Sequence, residues 1–151
     1  MGNPIQILPF QPENQEAVKN LVLDGLAEHW GQLDPLKNHD LNDISTTYAQ
    51  DYFLVAWDGN TIIGTGALIR RSTDTAEIVR MSVAKNARRN GIGRTILEQL
   101  IFQAKKDGIP RVILETTETW QDAIAFYLNA GFQITHYRDG DMYFEMILPE
   151  A

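Results

Sequence analysis

An apolar stripe at helical spacing, followed directly by a short apolar run, constrains the fold of this chain more than any other feature of its sequence. From Gly91 to Asp107 apolar residues recur every three or four positions, and the pattern ends at Gly108 and Pro110, which predicts an amphipathic helix. Strand-like runs flank this helix at residues 75–83 and 111–116. A strand–helix–strand order implies a right-handed crossover between parallel strands.

The rest of the chain predicts further helices and antiparallel strands around this crossover. Asp-Gly pairs between strand-like runs, at residues 58–59 and 139–140, predict two hairpins. The loop and short helix between residues 31 and 48, with Leu41, Ile44 and Tyr48 on one face, are expected to pack little of their own. The other predicted elements are a strand over 4–10, a helix over 15–30, strands over 52–57 and 61–69, a helix over 120–130, and strands over 132–137 and 142–148. Together these elements predict an α/β domain with a mixed, mostly antiparallel sheet.

Length and composition fit a single domain over residues 1–151 and exclude several kinds of site. The chain has 151 residues and no cysteine, so it can bury one core and cannot form disulfides, thiolate metal sites or a cysteine nucleophile. Its three histidines, His29, His39 and His136, lie far apart and lack a ligand spacing, so no metal is expected. The first residues lack the features of a signal peptide, and no apolar stretch reaches the roughly 18 residues of a membrane span. We therefore expect a cytoplasmic protein without a membrane partner.

A basic, glycine-containing stretch, NARRNGIGRTIL at residues 86–97, lies at the predicted start of the long helix. A nucleic-acid partner is not expected, because the net charge is −7 and the run lacks interleaved aromatic residues. The dinucleotide fingerprint GxGxxG fails because its third glycine position is Ile96, and the Gly-Lys-Ser/Thr ending of a phosphate loop does not occur. Two interpretations stay open. One is a compact anion site built from helix-start N–H groups and arginines, and the other is a solvated basic turn whose glycines allow the bend.

Two blocks of this sequence resemble signatures of the GCN5-related N-acetyltransferases. Arg88-Arg89-Asn90-Gly91-Ile92-Gly93 matches the family's Arg/Gln-x-x-Gly-x-Gly/Ala signature, and AIAFYLNAGF at residues 123–132 is similar to its A-x-x-F-Y-x-x-x-G-F block. The strand AEIVRMSV precedes the first block and an apolar helix follows it, as in the family. The resemblance covers residues 53–148. It implies the family's fold, an α/β domain whose mixed, mostly antiparallel sheet is flanked by helices and contains a splayed central parallel strand pair.

The resemblance implies that the anion held by the basic stretch is the pyrophosphate of acetyl-CoA. Backbone N–H groups from Arg89 to Arg94 would contact the pyrophosphate, with arginine side chains supplying charge around it. In the family, the pantetheine arm pairs with exposed backbone of the strand before this loop. The implied cofactor-binding residues are Met81, Ser82, Val83, Arg88, Arg89, Asn90, Gly91, Ile92, Gly93, Arg94, Trp120 and Tyr127.

The resemblance also implies which residues act on the acetyl group. An N–H near Met81 would polarise the thioester carbonyl. An alkyl amine with a pKa of ~10.4 is mostly protonated at neutral pH, so a base is needed. Glu77 and Glu115 are the candidates. The alternatives are a salt bridge from Glu77 to Arg80 or to a neighbouring strand, and a hydrogen-bonded strand end for Glu115. Tyr127 would protonate the departing thiolate, although its apolar helix face alone indicates a core residue.

Trp120 departs from the family pattern, because many members carry Asn at that position. It either packs on the pantetheine, lines the acceptor pocket or covers the core. The acceptor site of the family is usually built from the first two helices, their loop and the last strand pair, which here include Glu28, His29, Trp30, His39, Tyr48 and Tyr143.

The predicted function is transfer of an acetyl group from acetyl-CoA to a primary amine of a small molecule or peptide, by direct attack in a ternary complex. A catalytically silent acyl-CoA-binding module and a small interaction domain are the competing hypotheses. Family members are often dimers, so the sequence is compatible with a homodimer.

Overall fold

A computed structural model of the protein describes residues 4–34 and 36–149 and contains one seven-stranded sheet. Its elements are β1 (Ile5–Pro9), α1 (Gln15–Trp30), α2 (Ile44–Thr47), β2 (Tyr52–Asp58), β3 (Thr61–Arg70), β4 (Thr75–Val83), α3 (Ile92–Lys106), β5 (Arg111–Thr117), α4 (Gln121–Asn129), β6 (Gln133–Arg138) and β7 (Asp141–Ile147). The strand order is β1-β2-β3-β4-β5-β7-β6. The β4–β5 pair is parallel, whereas β1–β2, β5–β7 and β6–β7 are antiparallel. The predicted α/β fold with a mixed, mostly antiparallel sheet flanked by helices is confirmed.

The central parallel strands, β4 and β5, are paired over only a short stretch. Its register pairs residues 75–77 of β4 with residues 111–113 of β5. Both strands continue past these residues, β4 to Val83 and β5 to Thr117. The pair therefore has the splayed form expected from the resemblance.

The chain divides into two compact units. The first comprises the residues up to Ala67 together with Arg80–Leu100, and the second comprises Leu68–Val79 together with the residues from Ile101 onward. In the first unit, the apolar stripe of α3 is buried as its spacing predicted. Ile96, Leu97 and Leu100 are each at most 1% exposed.

Two glycines of β3 allow close packing in the first unit. A Cβ atom at Gly66 would lie 2.5 Å from the Met81 sulfur and 2.6 Å from Cγ2 of Ile96, and one at Gly64 would lie 3.1 Å from both Ile92 and Ile96. Real Cβ atoms do not approach other atoms as closely as the Gly66 position requires. These glycines therefore allow close packing between β3 and α3.

The segment between residues 31 and 48 packs more than its polar composition suggested. Leu41 and Ile44 are fully buried. The amide side chain of Gln15, on α1, donates to the Leu41 carbonyl at 2.7 Å and accepts from the Ile44 N–H at 2.9 Å. The expectation that this region packs little is wrong, because its apolar side chains are buried and Gln15 of α1 holds its backbone at two points.

Turn and cap residues set the element boundaries of the second unit. The Gly108 N–H donates to the Lys105 carbonyl and the Ile109 N–H to the Ala104 carbonyl, which is the Schellman pattern that ends a helix. Asp139 and Gly140 have φ of 51° and 85°, as a type I′ hairpin requires. The sequence predicted both features from glycine at these positions.

Candidate active site

The end of β4 leaves regular strand geometry at Arg80. The φ of Arg80 is +55°, in the left-handed region that side chains other than glycine rarely adopt. The hydroxyl of Thr65, on β3, is fully buried and donates to the Arg80 carbonyl at 2.8 Å. Residues 79–83 are all half-buried, so the alternation between half-buried and buried positions at residues 75–78 stops here. Within the first unit, residues 81–83 of the predicted pantetheine strand therefore follow a bulge-like distortion.

A polar network fixes the Arg80 side chain. Its Nε donates to Oδ2 of Asp40 at 2.8 Å, and its Nη2 donates to Oδ1 of Asp40 and, at 3.0 Å, to Oδ1 of Asn38. The Tyr48 hydroxyl donates to the same carboxylate. Burial would raise the pKa of Asp40, but the hydrogen bonds from Arg80 and Tyr48 outweigh it and lower that pKa below its ordinary value. Burial, followed by the hydrogen bond to Asp40, raises the pKa of Tyr48.

The loop before α3 presents a row of backbone N–H groups. Arg89 and Gly91 have φ of +69° and +76°, and the first helical hydrogen bond runs from the Thr95 N–H to the Gly91 carbonyl. Within the described part of the chain, none of the N–H groups of residues 89–94 donates to a protein acceptor. Unpaired N–H groups and the helix dipole favour an anion at this position.

The arginines expected around the pyrophosphate differ in their partners. Arg88 binds the carboxylate of Glu28 with two hydrogen bonds of 2.7 and 2.8 Å, and this contact lowers the pKa of Glu28. Arg94 lies 3.1 Å from Glu98, one helical turn along α3. Arg89 has no ion pair with any residue that the structure describes. Its charge is the one least neutralised of the three.

Tyr127 lies on α4 in the second unit with its ring buried among aromatic side chains. Its ring centroid is 5.0 Å from that of Phe126, 5.9 Å from Phe132 and 6.0 Å from Phe144. Burial raises the pKa of the Tyr127 hydroxyl. That hydroxyl makes no hydrogen bond to the described residues, yet no fully buried polar side-chain atom among them lacks a partner. The hydroxyl is therefore not completely enclosed, although the residue as a whole is only 8% exposed.

The two candidate bases are engaged by neighbours in the second unit. Glu77 forms an ion pair with Arg71, with 2.7 Å between Oε1 and Nε. Glu115 lies directly across from Tyr143, whose hydroxyl donates to it, and this hydrogen bond raises the pKa of Tyr143. Tyr127 contacts Phe144 on β7, and the neighbouring Tyr143 faces the other side of the sheet because successive side chains of a strand alternate. Glu115 pairs with Tyr143 and shares its face. Glu115 and Tyr127 therefore lie on opposite faces of the β5–β7 pair.

Trp120 directly precedes α4 in the second unit and is half-buried. Its carbonyl accepts from the Ile124 N–H at 3.1 Å, and its own N–H donates to the Thr117 carbonyl at 3.0 Å. The backbone of Trp120 thus begins the helix that carries Tyr127. Contact of its side chain with a cofactor stays a prediction.

The residues expected near the acceptor fall into both units. The first unit contains Glu28, His29, Trp30, His39 and Tyr48, and the second contains Tyr143. Tyr143 stacks on His136 with ring centroids 4.4 Å apart and planes 7° from parallel. No group of three His, Asp or Glu side chains in residues 4–34 and 36–149 could hold a metal ion. No helix within those ranges is long and apolar enough to cross a membrane.

Sequence reasoning missed the contribution of Thr65, Asp40 and Arg80. The available signal was an arginine within an apolar strand-like run, since a buried arginine is usually paired with a carboxylate. It does not identify Asp40, which lies 40 positions earlier in the chain. The left-handed backbone of Arg80 has no signal in its residue type, because glycine or asparagine is usual at such positions.

Comparison with known proteins gives consistent results for sequence and fold. The model of the acetyltransferase (GNAT) family matches residues 16–132. An IAA acetyltransferase of Azospirillum brasilense is 35% identical over 120 residues, which are 78% of this chain and 78% of that protein. N-acetyltransferase 8F1 of Rattus norvegicus is 30% identical over 115 residues, 72% of this chain and 52% of that protein. The match thus spans about half the length of the rat relative.

Solved structures share the same fold. An acetyltransferase of the GNAT family from Staphylococcus aureus Mu50 superposes with a TM-score of 0.88 at 23% identity, covering 97% of this chain and 100% of that one. The PaiA N-acetyltransferase from Thermoplasma acidophilum, solved in complex with coenzyme A, superposes with a TM-score of 0.84 at 21% identity, covering 96% and 99%.

Proposed function

Because the chain belongs to the GNAT family of acetyltransferases, we propose that it transfers an acetyl group from acetyl-CoA to a primary amine of a small molecule or peptide. The amine attacks directly in a ternary complex. The observation that carries this proposal is the row of N–H groups at residues 89–94 that have no protein acceptor among the described residues. Such a row can bind an anion, and a pyrophosphate supplies acceptors for several donors at once.

The proposed cofactor contacts begin at this loop. Backbone N–H groups of residues 89–94 bind the pyrophosphate, and Arg89 adds a charge that is not already committed to a carboxylate among the described residues. Arg88 acts indirectly, since its bond to Glu28 ties the loop to α1. Residues 81–83 pair with the pantetheine arm. Hydrogen bonds to phosphate are of the stronger, charge-assisted class, so a few contacts outweigh repulsion from a protein of net charge −7.

The proposed chemistry assigns one task to each reacting group. The Met81 N–H donates to the thioester oxygen as negative charge develops on it. Glu77 or Glu115 accepts the proton of the attacking amine, directly or through water. Tyr127, which burial keeps protonated, donates to the sulfur as the carbon–sulfur bond breaks. The desolvation that raises the pKa of the phenol acts in the same direction on a thiolate formed beside it, so the proton transfer is not strongly uphill.

Two measurements test this function in sequence. Calorimetry with acetyl-CoA and CoA should show binding of both, because they share the pyrophosphate. A thiol-release assay over a panel of primary amines should then show transfer. The absence of cysteine from the chain leaves that assay without a protein background. Failure to bind either cofactor would indicate an interaction domain, and binding without transfer to any amine would indicate a silent acyl-CoA-binding module.

A further inference from the structure

We propose that Arg80 is a positioning residue for acetyl transfer, whose side chain, held by Asp40, keeps the β4 backbone in the left-handed turn that directs the Met81 N–H toward the thioester oxygen. The inference rests on the proposed function. It concerns the first unit alone, which contains Asn38, Asp40, Thr65, Arg80 and Met81.

The geometry of one peptide bond links Arg80 to the direction of the Met81 N–H. The Arg80 carbonyl and the Met81 N–H belong to the same planar unit, which is trans because the described residues contain no cis peptide bond. In a trans peptide these two groups point in opposite directions. Since the Thr65 hydroxyl holds the carbonyl at 2.8 Å, the Met81 N–H points away from Thr65. The groups that fix residue 80 therefore also set the direction of the Met81 N–H, the proposed oxyanion donor.

The backbone of residue 80 stays in its left-handed conformation only if other groups hold it there. A left-handed conformation is unfavourable for a residue with a Cβ atom, and the φ of +55° at Arg80 lies in that region. Left to itself, residue 80 would relax toward ordinary strand geometry. The peptide that carries the Met81 N–H would rotate with it.

The Arg80 side chain supplies this restraint on its own backbone. Its guanidinium makes three hydrogen bonds to Asp40 and Asn38, and its side chain is only 19% exposed. Two of these bonds form a planar fork on the Asp40 carboxylate, a geometry that an ammonium group cannot reproduce. The Tyr48 hydroxyl also donates to Oδ2 of this carboxylate. The clamp therefore fixes the side chain while Thr65 fixes the carbonyl.

The test compares two substitutions that remove the clamp but differ in backbone preference. Arg80→Ala keeps the Cβ atom and its penalty, so the turn should relax. Arg80→Gly removes the penalty, because glycine adopts positive φ readily. We expect kcat to fall at least about tenfold in Arg80→Ala, since loss of an oxyanion donor costs ~10²–10³, and to fall less in Arg80→Gly. KM for acetyl-CoA should change by no more than about twofold in either variant.

Arg111→Ala provides the matched control. Arg111 forms an ion pair with Glu145 at 2.7 Å in the second unit, so its loss also removes a charged hydrogen bond. It should leave kcat within about twofold of the parent enzyme. Equal kcat in Arg80→Ala and the parent, equal losses in Arg80→Ala and Arg80→Gly, or an equal loss in Arg111→Ala would overturn the proposal.

A second readout does not depend on turnover. The chain contains four methionines, so ¹⁵N-methionine labelling gives a simple spectrum in which the Met81 amide can be followed. Acetyl-CoA should shift this resonance more than CoA does, because only acetyl-CoA carries the thioester carbonyl. That difference should be lost in Arg80→Ala and kept in Arg80→Gly. If no amine is acetylated, the proposed catalysis fails while this comparison still decides the role of Arg80; if the difference survives in Arg80→Ala, the positioning role fails.

Discussion

Three arginines near the start of α3 differ in whether a carboxylate already neutralises their charge. Arg88 and Arg94 are paired with Glu28 and Glu98, whereas Arg89 has no such partner among the described residues. A pyrophosphate would have to compete with a carboxylate for the first two. The largest gain on binding is therefore expected at Arg89.

Arg89→Ala should weaken CoA binding by roughly tenfold, because a hydrogen bond to a charged group contributes about 1.5–3 kcal/mol and each 1.4 kcal/mol is tenfold in affinity. The substitution keeps a Cβ atom, so the backbone strain at φ +69° is unchanged. Arg94→Ala is the matched control and should change affinity by about twofold or less. Calorimetric Kd values for CoA decide the prediction, and a larger effect at position 94 than at 89 would contradict it.

Tyr127→Phe separates chemistry from binding at a single atom. The ring contacts with Phe126, Phe132 and Phe144 survive this change, and the lost hydroxyl has no hydrogen bond to the described residues. Stability and acetyl-CoA affinity should stay close to those of the parent. We expect kcat to fall by about 10²-fold or more, the usual contribution of a positioned acid. Steady-state kinetics beside calorimetry give both quantities, and an unchanged kcat would remove Tyr127 from the mechanism.

At the scale of elements, the predictability of the fold follows from how local its causes are. The bounds of α1, Gln15–Trp30, and of β4, Thr75–Val83, match the sequence prediction because apolar periodicity is read from neighbouring residues. Hairpins and caps were predictable for the same reason, since their turn residues determine them. Contacts between distant segments were not. Nothing in the local pattern pairs Arg88 with Glu28, 60 positions earlier, or indicates the buried packing of Leu41.

The candidate site shows the same division. The N–H row at residues 89–94 was predictable because a helix start after glycine produces it locally. The partners of Glu77 and Glu115 were not predictable, because Arg71 and Tyr143 reach them through sheet register and side-chain orientation. The resemblance named Tyr127, and the structure adds that its ring is buried and that its hydroxyl makes no hydrogen bond to the described residues.

Gly66 provides a test of packing between two elements. An added methyl group would meet Met81 and Ile96 at 2.5 and 2.6 Å, and overpacking of this kind costs about 1–3 kcal/mol. Removing a glycine from a strand returns only about 0.5–1 kcal/mol, so Gly66→Ala should lower the free energy of unfolding. Gly64→Ala, whose contacts are 3.1 Å or longer, should have a smaller effect. Urea unfolding measures both, and equal effects would argue against steric packing as the cause.

At the scale of the whole molecule, acidic groups outnumber basic ones by 20 to 13, so the response to acid depends on which carboxylates the fold stabilises. Asp40 and Glu28 both have a pKa lowered in the folded protein. A group with a lowered folded pKa adds stability above its unfolded pKa and loses it as the pH falls through the folded value. Their contributions are therefore present at neutral pH, begin to fall near the ordinary carboxyl pKa of about 4, and are lost as the pH passes below the lowered folded-state pKa values.

Asp40→Asn tests this linkage. At pH 7 the substitution should lower the free energy of unfolding by roughly 2–3 kcal/mol, because the Arg80 guanidinium loses its charged partner while half-buried. As the pH is lowered from 7 into acid, through the lowered pKa of Asp40, the carboxylate of the parent protein becomes protonated and the difference between the two proteins should shrink. Asp139→Asn is the control, since the Asp139 side chain is 91% exposed and should show no difference at either pH. Urea unfolding at both ends of this range measures the effect. A difference between Asp40→Asn and the parent that does not change with pH would assign the loss to packing and not to charge.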